Sequence, residues 1–278
     1  MQLLVLTALA MLAFAANSVL NRIAVGAGAI DPVSFALIRL LAGAVTLSML
    51  VGLRHVARGQ PIWPGWAGRF GAVAGLLVYL FCFSSAYLGL GAGTGALILF
   101  GSVQITMFAG ALWSGEPVGR ARWLGVALAF AGLCLLVYPT IRVAGPVPMM
   151  LMAVAGIGWG MYSLGGRRTA DPLAATAWNF VLAAPVAGLV WGILDAAPMA
   201  TVQGAMLAVL SGAVTSGMGY ALWYKVLPQL GAARAAVVQL TVPLIATAGG
   251  LALLGEGVSL SFIVATATVL AGVVIASR

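Results

Sequence analysis

The chain has almost no acid. Five Asp and Glu residues stand in 278, beside one His and two Cys, and charged residues of either sign make up 6% of the sequence. That scarcity excludes most soluble chemistry at once. There are too few polar side chains to cover a water-soluble globule, and the segregated clusters that zinc proteases, phosphate-binding loops or paired-carboxylate hydrolases need are missing. Cys82 and Cys134 both lie inside apolar stretches, so they read as small packing residues without a disulfide or metal framework. No cofactor is expected. The formal net charge of +8 comes from basic residues scattered singly between apolar runs, the pattern of membrane-protein loops, and nucleic-acid binding is not expected.

What is abundant is apolar: 63% of the residues are hydrophobic and the mean hydropathy is +1.14. A spanning helix needs about 20 such residues. Ten segments fit, at 3–22, 32–53, 70–89, 93–113, 121–140, 147–166, 172–194, 204–226, 232–254 and 258–277. The expected fold is all-α and integral to the membrane. The first segment lacks the basic leader of a secretory signal and is kept as a helix.

The chain also repeats itself. A shift of 140 residues lays Gly91–Glu116 on Gly231–Glu256 without a gap, matching Gly91 with Gly231, Gly110 with Gly250 and Glu116 with Glu256. The same shift carries Asp31-Pro32 onto Asp171-Pro172, so four of the five acids fall into two matched pairs. Two five-helix units follow, residues 1–142 and 143–278, joined at the proline-punctuated stretch Pro139–Pro148. An odd number of helices per unit forces the second to enter the bilayer from the other face, giving inverted-topology repeats. With both termini cytoplasmic, ten basic residues collect inside against Arg22 and Arg142 outside, as the positive-inside rule requires.

These features together resemble the EamA-type drug/metabolite transporters: two five-helix units, Asp-Pro helix openings, a Gly-Ala-containing fourth helix and a terminal Gly-Glu. The family's Trp-Gly on the first helix of a repeat is matched by Trp159-Gly160, with Ala15-Ala16 in that place in copy one. Within the family the chain is most similar to the YddG-type exporters of aromatic amino acids. The resemblance implies a multi-pass carrier of the bacterial inner membrane, working by alternating access around a cavity between the halves. Small relatives of half this length pair up, which implies that the duplicated chain acts as a monomer.

Polar and aromatic residues at mid-helix depth are the candidates for such a cavity, because unpaired polar groups are costly in hydrocarbon. Asn17 and Asn21 share one face of the first helix, Tyr79 and Phe83 one face of the third, and Phe100, Gln104 and Phe108 form a stripe on the fourth. Copy two offers Trp159, Ser163, Tyr220, Trp223 and Gln239. Singly, each aromatic also suits plain packing or an interfacial belt; as a set they point to substrate binding. Pro243 reads equally as a hinge and as a static kink. Glu116 and Glu256 are read as loop and cap elements. Gly71/Gly75, Gly156/Gly160 and Gly188/Gly192 are read as small-residue contacts between helices.

Arg39 is the one charge well inside a helix. It is expected to snorkel outward or to tie the second helix to neighbouring carbonyls; the other reading makes it the partner of a substrate carboxylate. An aromatic lining with amides and no mid-depth anion suits small neutral zwitterions with apolar side chains, foremost aromatic amino acids. The alternatives are an exporter of other metabolites or drugs and, in a different class, an integral membrane enzyme.

Overall fold

Asp31 and Asp171, the pair matched by the internal shift, do the same local work. Each stands just before a proline and accepts a backbone N–H three residues on, Asp31 Oδ1 from Ser34 at 2.7 Å and Asp171 Oδ1 from Ala174 at 3.1 Å. A side-chain acceptor before a proline in the first helical position is a strong helix start. In the computed structural model, which describes residues 1–115, 119–166, 169–194 and 199–276, these starts open α2 (Pro32–Arg58) and α7 (Pro172–Leu194).

The other elements are α1 (Gln2–Gly26), α3 (Arg69–Ala86), α4 (Ala92–Trp113), α5 (Arg120–Ala144), α6 (Pro146–Gly166), α8 (Val202–Leu210), α9 (Gly219–Gln239), α10 (Thr241–Leu254) and α11 (Leu260–Ala276). Among the described residues nine helical segments are long and apolar enough to cross a membrane, and α11 is a shorter apolar helix. The protein is therefore an all-helical, multi-pass membrane protein. Helices satisfy their own backbone groups, which a bilayer demands. Leu4, Val45, Met49, Leu189, Ile193 and Leu253 lie exposed on the outer surface, where lipid tails cover them.

One region departs from the expected boundaries. Segments expected at 204–226 and 232–254 with a break between them are instead helical from Val202 to Gln239, through a wider π-helical stretch at Ser211–Met218, and the interruption falls at Leu240. Pro243 is thus the third residue of α10. In the first turn its missing N–H breaks no intrahelical bond, so it does not interrupt a helix, and the hinge reading loses the mid-helix placement it started from.

The packing partners are set by close backbone approach. α6 lies between α3 and α4, while α1 lies between the α8–α9 run and α10; α2 packs on α7 and on the π segment, α4 on α10, and α5 on α11. A Cβ on Gly125 would sit 2.3 Å from the Gly272 carbonyl, and one on Gly272 would sit 2.5 Å from that of Gly125. Gly75 and Gly158 make the same reciprocal approach between α3 and α6 at 2.9 and 2.8 Å. Only side-chain-free positions permit this. Of the expected small-residue contacts Gly75, Gly156 and Gly160 meet a neighbouring helix, whereas Gly71, Gly188 and Gly192 have open space around them.

A candidate substrate cavity

Five helices converge on one small cavity. α1 contributes Phe14, Asn17 and Ser18; α3 contributes Tyr79 and Phe83; α4 contributes Leu99 and Phe100; Trp159 comes from α6 and Tyr220 from α9. Trp159 is the pivot. Its ring lies 5.0 Å from that of Tyr79, 5.1 Å from Tyr220 and, stacked, 5.3 Å from Tyr162. Phe14 meets Tyr220 edge-on at 5.7 Å and Trp223 at 5.8 Å. These are favourable offset and edge geometries, worth about 0.5–1.5 kcal/mol per pair beyond burial. The rings close on one another, and the space between them holds little more than a water molecule.

A polar network backs the rings. Asn17 Oδ1 accepts from Ser211 at 2.8 Å, from Thr215, and from Ser216 at 3.4 Å. All three donors lie on the π-helical stretch, whose wider turn brings residues four and five apart to one side. Ser216 in turn accepts from Arg39 Nε at 3.0 Å, and Arg39 Nη2 donates to the Tyr79 hydroxyl at 2.8 Å. Asn17, Ser216, Arg39 and Tyr79 thus form a continuous chain from α1 through the π segment and α2 to α3.

The expected residues divide. Asn17, Tyr79, Phe83, Phe100, Trp159 and Tyr220 share the cavity, and Asn21, Gln104, Ser163, Trp223 and Gln239 are not part of its lining. Asn21 donates instead to Ser84 at 3.0 Å, tying α1 to α3; Ser163 returns its hydroxyl to the Trp159 carbonyl at 2.7 Å; Trp223 stands behind Phe14. Gln104 holds a buried amide nitrogen without a partner, and Gln239 is buried at the end of α9. Phe108, from the same stripe as Phe100, turns toward Trp123 at 5.0 Å. Phe14, Ser18 and Leu99 also line the cavity and were not among the expected residues, while Arg39 stands behind its Tyr79 and Phe83 walls. Phe14 lies three residues before Asn17 and four before Ser18 on α1, so helical spacing from Asn17 points to Phe14.

Arg39 does tie α2 to neighbouring helices, as one expectation had it, but through hydroxyls. It neither snorkels nor reaches for carbonyls: it is wholly buried, with its guanidinium 5.3 Å from the centre of the Tyr79 ring and 5.1 Å from that of Phe83.

Polar ties close both ends of the bundle. At one end Arg22 Nε meets Glu256 Oε1 at 3.1 Å, Arg22 Nη1 donates to the Tyr87 carbonyl at 3.0 Å, and Glu256 Oε2 accepts the Ala92 N–H at 2.8 Å. Glu256 therefore caps α4, whose own N-cap, Gly91, has no side chain to do so. At the other end Arg54 grips Asp171 with both terminal nitrogens, one at 2.9 Å, and Arg69 Nη1 donates to the Ala175 carbonyl and to Asn179 Oδ1, each at 2.8 Å. Burial raises the Asp171 carboxyl, but the Arg54 fork and the Ala174 N–H outweigh it and leave its pKa below the ordinary value of 3.8. Glu116, the shifted partner of Glu256, lies outside the described residues. Among the described residues no group of His, Cys, Asp and Glu is placed to hold a metal.

Comparison with known proteins comes to the same architecture. The EamA-like transporter family model matches twice, over residues 1–138 and 147–278. The chain is 44% identical over 270 residues to an uncharacterised protein of Pseudomonas aeruginosa, covering 97% of this chain and 92% of that one. It is 28% identical over 253 residues to the uncharacterised transporter YwfM of Bacillus subtilis, covering 88% and 84%. A crystal structure at 18% identity superposes with a TM-score of 0.67 over 97% of both chains, a likeness of fold.

Proposed function

The chain belongs to the EamA-like transporter family, and on that premise we propose that it carries small neutral zwitterionic metabolites, foremost aromatic and other apolar amino acids, out of the bacterial cytoplasm. Family and transporter-named relative alike point to a membrane transporter of small molecules and away from an enzyme. The observation that carries the substrate class is the meeting of Phe14, Tyr79, Phe83, Trp159 and Tyr220 from four helices around one cavity. Such rings offer faces and edges to an aromatic side chain and a face to an ammonium group.

The transport cycle in this reading is alternating access between two inverted five-helix repeats. Its support is the exchange of neighbours: α6 sits between α3 and α4 as α1 sits between the α8–α9 run and α10, which is the pattern that swapping equivalent helices produces. In this reading the ion pairs at the two ends of the bundle, Arg22–Glu256 and Arg54–Asp171, serve as its gates and open one at a time. The chain works as a monomer with both termini cytoplasmic.

The test is exchange and efflux by purified protein in liposomes, over a panel of aromatic, aliphatic and charged amino acids, organic cations and nucleotide sugars. Selective movement of aromatic and apolar amino acids is the expected result. Movement of cations or nucleotide sugars alone overturns it.

A further inference from the structure

We propose that Arg39 is the carboxylate anchor of the central cavity: its free Nη1 takes an oxygen of the cargo's anionic group, so that carboxylic acids, with or without an α-amino group, bind and their amides do not. The inference rests on the cavity being the carrier site argued above. It adds the group the cargo must bear.

The argument begins from a charge without a counter-charge. Arg39 is the eighth residue of α2, fully buried, inside a membrane-spanning helix. A buried cation without an anion is disfavoured by several kcal/mol. Yet every group around it is neutral: the Ser216 and Tyr79 hydroxyls by hydrogen bond, the Tyr220 phenol close by, and two ring faces. The three described acids are committed elsewhere: Asp31 to the Ser34 and Met199 N–H groups, Asp171 to Arg54, and Glu256 to Arg22 and Ala92.

The guanidinium is also held in a fixed attitude. Nε is tied to Ser216 and Nη2 to Tyr79, while Nη1 is buried with no acceptor. Among the described residues this is the sole buried terminal guanidinium nitrogen without a partner; Arg54 and Arg69 leave only Nε unmatched. Arg69, the other deeply buried arginine, is spent on the Ala175 carbonyl, Asn179 and Thr169, a tie between helices. The two rings that Arg39 covers, Tyr79 and Phe83, are themselves walls of the cavity. In copy two the matched position is Asn179, which is neutral, so the centre offers one cation and hence one carboxylate. No described acid faces the cavity to demand an amino group.

The test is thermal unfolding of the full chain in detergent, titrated with phenylalanine, phenylalaninamide, 3-phenylpropionate, leucine and leucinamide. A ligand that binds the folded state raises the midpoint with concentration, a readout that needs no transport. Phenylalanine and 3-phenylpropionate are expected to act at concentrations about tenfold or more below phenylalaninamide, the ratio a charge-assisted bond gives. Arg39→Met should erase that preference and Arg39→Lys should keep part of it; the acid-to-amide ratio of the wild-type chain stands even where a variant does not fold. Equal action of acid and amide on the wild-type chain overturns the assignment. An acid preference shared equally by leucine and phenylalanine upholds Arg39 and removes the aromatic reading, and a chain that answers to none of the five overturns both.

Discussion

Arg39 on α2 and Tyr79 on α3 are joined by a hydrogen bond of 2.8 Å between guanidinium and phenol, both side chains being withdrawn from the surface. Tyr79 thereby holds two positions at once, a wall of the cavity and the support of its one cation. Replacing Tyr79 by Phe keeps the ring and leaves Arg39 Nη2 unpaired as well as Nη1. The expected loss is about 1–3 kcal/mol of stability, read as a lower unfolding midpoint in detergent. An unchanged midpoint contradicts the bond's role.

The Arg54–Asp171 pair gives a pH dependence of known sign. Asp171 has a lowered pKa in the fold, so the stability it adds is fully present above its unfolded value near 3.8 and is lost as pH falls through the lower folded value. Its side chain is 27% exposed and the pair is partly screened, which limits the effect to about 1 kcal/mol or less. Asp171→Asn keeps a helix-capping acceptor while removing the charge. The variant should unfold at a lower temperature than the parent at neutral pH and at the same temperature in strong acid. A gap that widens in acid contradicts the assignment.

The α5–α11 seam should tolerate no side chain. Gly125→Ala and Gly272→Ala each force a methyl group against opposing backbone, where neither side chain nor solvent can yield. Each is expected to cost about 1–3 kcal/mol, whereas Gly188→Ala, with open space around it, should be neutral or slightly stabilising through helix propensity. Equal midpoints for Gly125→Ala and Gly188→Ala contradict the packing.

Much of this fold was legible because the bilayer restricts the choices so severely. Outside the Val202–Leu254 region apolar runs located the helices to within a few residues, and Asp31-Pro32 and Asp171-Pro172 marked helix starts by a mechanism that acts within four residues. The cavity was half legible. Tyr79, Phe83 and Trp159 could be named because aromatic and polar residues stand out in a lipid-soluble chain, but in helices apolar on every side nothing local fixes the rotation about the axis. Gln104 and Gln239 therefore do not line the cavity where they were expected, while Phe14 and Leu99, which were not among the expected residues, do. The hydroxyl partners of Arg39, Ser216 and Tyr79, were not legible because they stand 177 and 40 residues away. The π-helical stretch also had no local signature: its small residues are accommodated by contacts with α2, Gly212 against the Arg39 carbonyl and Gly217 against Thr46.

Topology can be read directly by labelling. In a chain with Cys82 and Cys134 replaced, a cysteine at Val202, 80% exposed at the start of α8, should react with an impermeant reagent from outside the cell. A cysteine at Gln60, exposed in the loop after α2, should react only from the cytoplasmic side. Labelling of both from one side contradicts the inverted arrangement.

Exchange of labelled phenylalanine by the purified chain in liposomes, compared with its Trp159→Ala variant, tests the central claim most directly, since the Trp159 ring meets two other aromatic walls of the cavity, Tyr79 and Tyr220. The account predicts brisk exchange by the parent and a loss of roughly tenfold in the variant, as removal of one or two ring contacts implies, with the variant still folded and monodisperse. Undiminished exchange by Trp159→Ala, or a parent that moves organic cations and no amino acid, would contradict it.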